Sequence, residues 1–290
     1  MKCKRCGRNA FEKFRGTYYC RECLITKYEG AVESAIRRYR MIRKGERVLT
    51  ALSGGKDSVA MLSSLRVLSK RIGFDVDAMF IDLGIGRYSR HSLEVSKKVA
   101  EMLDVRLHVV RLEDYGFTID DVRGKVCSVC GNAKRYIMNR FARENGYDAI
   151  ATGHCAEDIL ANLFKNMYSG NMEWSEKQRP RMEGFDRIVT RVRPLYEMSE
   201  RENMVYVLAK GLPFLNEECP NAPSTKWKEI VYEIERKVPG FRVSILRNLA
   251  RERRDGGDEE FRYCRICGEI TTSSVCQFCR NVKKYARKNQ

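Results

Sequence analysis

The chain has 290 residues, of which 55 are Lys or Arg and 38 are Asp or Glu, so its formal net charge is +17. No run of about 18 apolar residues occurs, and the N-terminus lacks an apolar signal region, which argues against a membrane-spanning or secreted protein. The excess positive charge is spread along the chain and indicates a polyanionic partner, with nucleic acid as the first candidate. We expect a cytoplasmic protein whose twelve cysteines do not form disulfides.

Two pairs of cysteines stand close to the N-terminus, each with two residues between its members. A Cys-x-x-Cys turn can present two thiolates to one metal, and two such turns complete a tetrahedral zinc site. Coordination by four thiolates leaves no open position, so this zinc is expected to be structural. The predicted ligands are Cys3, Cys6, Cys20 and Cys23.

A short Ser/Gly loop follows the apolar run Arg47–Leu52 and leads into a helical pattern that begins at Ser58. Glycines let the backbone turn sharply and approach a ligand, and a helix N-terminus offers free N–H groups and a positive dipole to a phosphate. The spacing differs from that of the Walker loop. The pattern predicts a nucleotide site in the loop residues Ser53, Gly54, Gly55, Lys56, Asp57 and Ser58.

Strand-like and helical patterns alternate through the middle of the chain, which predicts a doubly wound α/β fold with a mainly parallel sheet. Ligands of such sheets bind at the carboxyl ends of the strands. We therefore expect the Ser/Gly loop, residues 82–84 and the pair Gly153-His154 to converge, and backbone near Ile81 to reach an adenine. The predicted strands are Arg47–Leu52, Val76–Asp82, Arg106–Arg111, Ala149–Gly153 and Arg191–Leu195. The predicted helices between them are Ser58–Lys70, Ser89–Leu103 and Asn132–Asn145.

Three further cysteines have no zinc-type partner pair nearby in the sequence. Cys127 and Cys130 form an isolated Cys-x-x-Cys just before the helical pattern, which indicates either redox activity or a cluster anchor. Lys134 lies one helical turn beyond Cys130, on the same face. Cys219 lies in the segment Glu218-Cys219-Pro220, so any partners must come from elsewhere in the fold.

The segment after the fourth predicted strand reads Gly153-His154-Cys155-Ala156-Glu157-Asp158. A single histidine at a strand end is more often structural than catalytic, and Asp158 in a first helical turn suits the helix dipole without any chemistry. Cys155 is expected to be a buried thiol rather than a ligand.

A second four-cysteine set, followed by a basic tail, closes the chain and predicts a compact zinc ribbon. The predicted ligands are Cys264, Cys267, Cys276 and Cys279. Four regions follow from these patterns. They are an N-terminal zinc ribbon (1–28), a nucleotide-binding catalytic domain (29–215), a basic helical region with the third interior cysteine (216–260, ending in the linker Asp255–Glu260), and the C-terminal ribbon with its tail (261–290).

The Ser53–Ser58 loop resembles the PP-loop of ATP pyrophosphatases. Together with the terminal cysteine pairs and the interior cysteines, it resembles the tRNA 2-thiouridine synthetases of the two-zinc-ribbon branch. The resemblance implies an adenine nucleotide α-hydrolase-like fold, Mg²⁺-dependent adenylation of a uridine C2 oxygen by ATP, and replacement of that oxygen by sulfur. Implied nucleotide-binding residues are Ala51, Ser53, Gly54, Gly55, Lys56, Asp57, Ser58, Ile81, Gly153, His154 and Asp158. Implied catalytic residues are Asp57, Cys127, Cys130, Lys134, Asp158 and Cys219.

The resemblance also implies that Cys127, Cys130 and Cys219 hold a 4Fe–4S cluster with one open iron. The implied partners are tRNA, a thiocarboxylated ubiquitin-like sulfur carrier or inorganic sulfide, and a second copy of the chain. Family members often have Gly-His-Asn where this chain has Gly153-His154-Cys155. Two alternatives stay open: a persulfide and disulfide route on the same cysteines without iron, and a zinc-ribbon RNA-binding protein with an inactive PP-loop. The sequence does not distinguish a wobble uridine from a T-loop uridine.

Overall fold

The computed structural model describes residues 1–172, 178–251 and 261–286. Its strands are β1 (Glu12–Phe14), β2 (Thr17–Tyr19), β3 (Arg47–Ala51), β4 (Asp75–Asp82), β5 (Leu107–Arg111), β6 (Ala149–Ala151), β7 (Arg181–Met182), β8 (Thr190–Val192), β9 (Arg262–Tyr263) and β10 (Ile270–Thr271). Its α-helices are α1 (Arg21–Arg38), α2 (Lys56–Ile72), α3 (Gly86–Met102), α4 (Val126–Glu144), α5 (Ala156–Tyr168), α6 (Glu200–Lys210), α7 (Lys226–Lys237), α8 (Phe241–Arg251) and α9 (Gln277–Tyr285).

The central sheet has six strands in the order β5-β4-β3-β6-β8-β7. The first five are parallel, and β7 pairs antiparallel with β8 at one edge. After β3 the chain adds β4 and β5 on one side and returns to add β6 on the other. The strand order therefore reverses between β3 and β6, the position where α/β sheets of this type bind ligands. This confirms the predicted doubly wound, mainly parallel fold.

Two hydrophobic clusters cover the sheet, one on each face. The larger joins α1, α2, α5 and α6, with Tyr28 and Tyr206 stacked 4.0 Å apart between their ring centroids. The smaller lies under α4 and includes Leu49, Met79 and Ile150 from the central strands. The alternation of side chains along β3, with Val48 in one cluster and Leu49 in the other, produces this division.

The terminal ribbons are packed onto the catalytic domain. The hairpin β1–β2 precedes α1. The sequence pattern predicts a helix from Glu29 to about Lys44, whereas α1 begins eight residues earlier, at Arg21. The difference arises because the second cysteine knuckle is itself the start of the helix, with Cys20 as its N-cap. At the other end, the ring of Phe278 stacks on Tyr136 of α4 with a centroid separation of 3.8 Å.

Helix α4 also begins earlier than predicted, at Val126 instead of Asn132, so that Cys127 and Cys130 lie inside it. Gly124, at φ +86°, reverses the chain just before this start. The predicted linker Asp255–Glu260 and the last residues of the basic tail lie outside the described residues. Among the described helices, none has the length and apolar character needed to cross a membrane.

Candidate nucleotide and sulfur site

The Ser/Gly loop joins the carboxyl end of β3 to the N-terminus of α2, as the sequence predicts. Gly54 has φ +78°, and a Cβ there would lie 2.9 Å from the carbonyl oxygen of Ser92, so a side chain would be excluded on both grounds. Inside the loop, the backbone N–H and the hydroxyl of Ser53 both donate to Oγ of Ser58, each across 3.1 Å. Ser58 Oγ in turn donates to the carbonyl of Gly55 at 2.9 Å. The loop is thereby held in one shape before any ligand binds.

A cavity of about 340 Å³ opens above this loop. Its lining comes from the ends of β3, β4 and β6 together with residues of α3 and α4. The predicted nucleotide-site residues that line it are Ala51, Ser53, Gly55, Asp57, Ser58, Ile81, Gly153 and His154. Lys134 lines it as well. A Cβ at Gly153 would lie 3.3 Å from the backbone nitrogen of Ser58, so the end of β6 packs directly against the first turn of α2.

Three predicted nucleotide-site residues are absent from the lining of this cavity. They are Gly54, which faces α3, and the charged residues Lys56 and Asp158. The amino group of Lys56 lies 3.0 Å from Oδ2 of Asp57 and 3.6 Å from Oε2 of Glu200. In this structure the lysine therefore neutralises neighbouring carboxylates beside the cavity.

Asp158 belongs to an acidic group next to the loop. Its Oδ1 lies 2.6 Å from Nζ of Lys228, which also pairs with Glu200, and its Oδ2 accepts the backbone N–H of Cys155 at 3.0 Å. Burial acts to raise the pKa of Asp158, but the amino group of Lys228 outweighs it and leaves the pKa below its ordinary value. Asp158 is therefore held as a carboxylate.

Cys155 is fully buried, in agreement with the expected buried thiol. Its sulfur lies 3.4 Å from Oε2 of Glu157 and 3.3 Å from Oδ2 of Asp158. Burial, followed by these carboxylates, raises the pKa of the Cys155 thiol well above its usual range. The thiol is therefore a hydrogen-bond donor to both carboxylates. Its sulfur also lies within 4.8 Å of carboxylate oxygens of Asp158 and Glu200.

The three interior cysteines lie near one another, because the charges of Cys127 and Cys219 both act on Cys130. Cys130 and Cys219 also interact with Tyr88, which lines the cavity. Cys127 Sγ donates to the carbonyl of Asn221 at 2.7 Å, which ties the segment carrying Cys219 to the first turn of α4. Cys130 and Cys219 both pack against the cluster under α4. Burial raises the pKa of Cys130, while a hydrogen bond and charge from Lys134 act in the opposite direction.

Lys134 thus links two features that the sequence leaves separate. It lines the nucleotide cavity, and its positive charge acts on the thiol of Cys130. Cysteine thiolates are the usual ligands of iron–sulfur clusters. Cys127, Cys130 and Cys219 lie close enough for their charges to interact, so this donor set fits such a cluster.

Each terminal cysteine set fits a zinc ion. The four sulfurs of each set all lie within 4.8 Å of one another. Sulfur separations are 3.6 Å for Cys6–Cys20 and 3.8 Å for Cys6–Cys23 in the first set, and 3.6 Å for Cys267–Cys276 in the second. A tetrahedron of sulfurs about 2.3 Å from zinc has an edge of about 3.8 Å, whereas a disulfide would need about 2.05 Å. All twelve cysteines are free.

Sequence reasoning missed several residues of this site. Glu200 and Asn203 come from α6. The local sequence there predicts a helix capped by Ser199 and Glu202, and the structure contains that capping box, but the pattern does not indicate a role at the site. Asn203 Nδ2 donates to Oδ1 of Asp57 at 2.8 Å. Lys228 comes from α7 and carries no local pattern that would identify it.

Comparison with known proteins agrees with this geometry. The family model of the PP-loop domain matches residues 26–227. The chain is 41% identical to the tRNA-5-methyluridine(54) 2-sulfurtransferase of Thermus thermophilus, covering 97% of this chain and 90% of that protein. It is 37% identical to the Pyrococcus horikoshii protein of the same name, covering 97% and 93%.

A solved structure is similar over the whole chain. It is the U34-tRNA thiolase NcsA from Methanococcus maripaludis with its 4Fe-4S cluster, at a TM-score of 0.84 and 26% identity, covering 100% of this chain and 98% of that one. The sequence matches and the structural similarity extend across the nucleotide loop, the interior cysteines and both ribbons. The chain therefore belongs to the PP-loop family and, within it, to the tRNA 2-sulfurtransferases.

Proposed function

We propose that this protein is an ATP-dependent tRNA 2-sulfurtransferase. In the proposed reaction the C2 oxygen of a uridine attacks the α-phosphorus of ATP and pyrophosphate leaves. Sulfide then bonds to C2, and AMP leaves with the original oxygen, which gives 2-thiouridine. The observation that carries the proposal is the position of Lys134, which lines the cavity above the PP-loop and is near enough to Cys130 for its charge to act on that thiol. Lys134 therefore lies between the cavity where ATP would activate the uridine and the cysteines that would take part in sulfur delivery.

The residues of the loop would hold the nucleotide. Backbone N–H groups at the start of α2 and the hydroxyls of Ser53 and Ser58 suit the phosphates, because both present donors to an anion. Asp57 lines the cavity and would hold the Mg²⁺ that accompanies ATP, since carboxylate oxygens are preferred Mg²⁺ ligands. Ile81, Gly153 and His154 line the walls and would enclose the rest of the nucleotide.

Two further residues would act on charge during adenylation. The amino group of Lys134 can offset negative charge that develops as the uridine oxygen becomes bonded to phosphorus. Asp158, held ionised by Lys228, would anchor that lysine and the start of α5 beside the reacting groups. Lys56 is close enough to turn from Asp57 toward a bound phosphate, and we propose this rearrangement on nucleotide binding.

The interior cysteines would receive and deliver the sulfur. A 4Fe–4S cluster on Cys127, Cys130 and Cys219, when bound, supplies an iron without a protein ligand where sulfide can be held. The tie between Cys127 and the carbonyl of Asn221 keeps the two cysteine segments together. The two terminal cysteine sets would hold structural zinc.

We also propose the setting of the reaction. A thiocarboxylated sulfur carrier or inorganic sulfide would supply the sulfur, and the resemblance implies a homodimer. Twelve free thiols suit the reducing environment of the cytoplasm. The target proposed is 5-methyluridine at position 54, which is named in the two relatives at 41% and 37% identity.

The test uses anaerobically purified protein, ATP, Mg²⁺, sulfide and unthiolated tRNA, followed by nucleoside mass spectrometry. Three tRNAs are compared: one intact, one with cytidine at position 54 and one with cytidine at position 34. The proposal expects thiolation of the first and third and none of the second. Thiolation lost only in the third tRNA would move the target to position 34, and no 2-thiouridine in any tRNA would contradict the proposed reaction.

The two alternatives have distinct outcomes in the same preparation. Thiolation by iron-free protein that starts with a Cys130–Cys219 disulfide would support the persulfide route. Sulfide would open that disulfide to one thiol and one persulfide, seen as a mass increase of one sulfur on Cys130 or Cys219. Binding of tRNA without conversion of ATP to AMP would support an RNA-binding protein with an inactive loop.

A further inference from the structure

Two arginines lie beside the cavity on the face of the sheet that α4 covers. Arg191 is in β8, and its partner in the neighbouring strand is Ile150 of β6. Partners in register project to the same face, and Ile150 belongs to the cluster under α4. Arg191 is half-buried, at a position where the adjacent strands carry apolar residues. Arg135 is exposed on α4, directly after Lys134.

Within the part of the chain that the structure describes, neither guanidinium group forms an ion pair or a hydrogen bond with another side chain. The charge of Arg135 acts on Arg191, and Cys130 acts on Arg135. Burial lowers the pKa of Arg191, and the charge of Arg135 lowers it further.

A half-buried arginine with no anion beside it destabilises the folded protein, because a charge that is removed from water is normally paired with an opposite charge. Two repelling guanidinium groups on one face add to that cost. A bound anion would relieve both effects. Phosphate matches the guanidinium group best, since its oxygens accept two parallel N–H bonds from one arginine.

The position of the pair indicates which phosphate this is. Strand β8 adjoins β6, whose carboxyl end supplies Thr152, Gly153 and His154 to the cavity. Arg135 is next in sequence to Lys134 and close enough to Cys130 for their charges to interact. Asn139 of α4 accepts the backbone N–H of Val189. Arg135 is one turn nearer the N-terminus of α4, and Arg191 is two residues beyond Val189. The pair therefore lies on the side of this contact toward the carboxyl edge of the sheet, where the cavity opens.

We propose that Arg191 and Arg135 bind the tRNA backbone phosphate adjacent to the uridine that is modified. The inference rests on the proposed function, because it assigns to this surface the same RNA substrate. Each arginine would donate N–H bonds to a non-bridging oxygen of one phosphate group. The pair would thereby fix the position of the target base relative to Lys134.

The test measures the affinity of the full, cluster-loaded protein for tRNA at several salt concentrations. The variants are Arg191→Gln, Arg135→Gln and Arg191→Lys, and the matched control is Lys70→Gln. Lys70 is exposed at the carboxyl end of α2, so it lies at the opposite edge of the sheet from the cavity. Arg135 is exposed, so its replacement carries little risk to folding.

Each Gln variant should weaken binding and reduce the magnitude of the slope of log affinity against log salt by about one. The Arg191→Lys variant should recover most of the slope and only part of the affinity, because lysine keeps the charge and loses the paired bonds. Lys70→Gln should leave the slope at the wild-type value.

Unchanged affinity and slope in both Gln variants would overturn the inference. If those variants instead lose iron while tRNA binding is intact, the arginines serve the cysteine site, and the inference is wrong. Failure of the proposed function is distinguishable, since wild-type protein would then produce no 2-thiouridine at all. Failure of the inference alone leaves wild-type thiolation intact.

Discussion

The side-chain amide of Asn203 donates a hydrogen bond to Oδ1 of Asp57 across 2.8 Å. The amide oxygen of Asn203 accepts a hydrogen bond from the hydroxyl of Tyr28 at 2.6 Å. Both Tyr28 and Asn203 are fully buried. Tyr28 lies in α1, two turns beyond the second cysteine knuckle of the N-terminal ribbon. A continuous chain of hydrogen bonds therefore connects the helix that starts in the ribbon to the carboxylate of the nucleotide loop.

Replacing Asn203 with Ala should weaken the use of ATP. Burial raises the pKa of Asp57, and the bond from Asn203 is among the contacts that oppose this rise. Loss of that bond should raise the pKa further, so the acid limb of the pH–rate profile for AMP formation should move to higher pH. Loss of one hydrogen bond to a buried charged group costs about 1.5–3 kcal/mol, or roughly tenfold or more in kcat/KM.

Tyr28→Phe is the matched control for that variant. It removes the outer hydrogen bond and retains the bond from Asn203 to Asp57, so it should reduce kcat/KM less and leave the acid limb in place. If the acid limb of the Asn203→Ala variant stays at the wild-type pH, the amide of Asn203 does not lower the pKa of Asp57.

The zinc content of the protein should respond to each terminal cysteine set independently. Cys20→Ser should reduce zinc from two ions per chain to about one, because three thiolates no longer close the tetrahedron. Cys276→Ser should do the same at the other ribbon. Elemental analysis by mass spectrometry gives the counts, and an unchanged zinc content in either variant would mean that its cysteine set is not a zinc site.

Replacing an interior cysteine should change the iron content of the protein and leave its zinc content unchanged. Cys127→Ala, Cys130→Ala and Cys219→Ala should each abolish thiolation and lower iron content, while zinc stays near two ions per chain. The reason is that these thiols lie at the nucleotide cavity, separate from both ribbons. Iron and zinc measured on the same anaerobic samples check the division, and loss of zinc in these variants would show that the ligand sets are wrongly partitioned.

Glu197 should contribute to stability in a pH-dependent way. It is 5% exposed and accepts hydrogen bonds from Arg38, Tyr39 and Arg247. Burial opposes its charge, but the bonds from Arg247, Tyr39 and Arg38 outweigh this and lower its pKa from 4.5 to about 2. A lowered pKa means that the stabilisation is complete above pH 4.5 and is lost as the pH falls toward 2. At neutral pH it amounts to about 3 kcal/mol.

Glu197→Gln should therefore lower the free energy of unfolding at pH 7, with a difference from wild type that shrinks between pH 4.5 and 2. Comparing the two proteins removes the effect of acid on the zinc sites, which both share. Glu233→Gln is the control, because its pair with Arg236 is exposed and should matter less. A difference that is constant from pH 7 to pH 2 would exclude an ionised Glu197 as its source.

Local patterns were sufficient to predict much of this molecule. The loop from Ser53 to Ser58 could be located because glycine, hydroxyl and lysine types coincide at a strand-to-helix junction, and the zinc sets because their cysteines are close in sequence. The parallel sheet followed from the alternation of strands and helices. Each of these depends on residues separated by only a few positions.

The remaining parts of the site depend on contacts between distant segments. Asn203 meets Asp57 from a helix 146 positions later in the chain. Lys228 reaches Asp158 from α7. Arg191 is distinguished by having no acidic partner among the described residues, which its neighbours in sequence do not reveal. The start of α1 was also not predictable from local sequence. Cys20 belongs to the first four-cysteine set and is also the N-cap of the helix.

The most direct test of the central claim counts AMP and 2-thiouridine in one reaction. Wild-type and Cys219→Ala proteins are each incubated anaerobically with ATP, sulfide and excess tRNA. If one cavity joins activation to sulfur delivery, wild-type protein should form one AMP for each 2-thiouridine. The variant should still release pyrophosphate and form adenylated tRNA, without thiolated product. Thiolated tRNA from the variant, or thiolation by the wild type without AMP, would contradict the account.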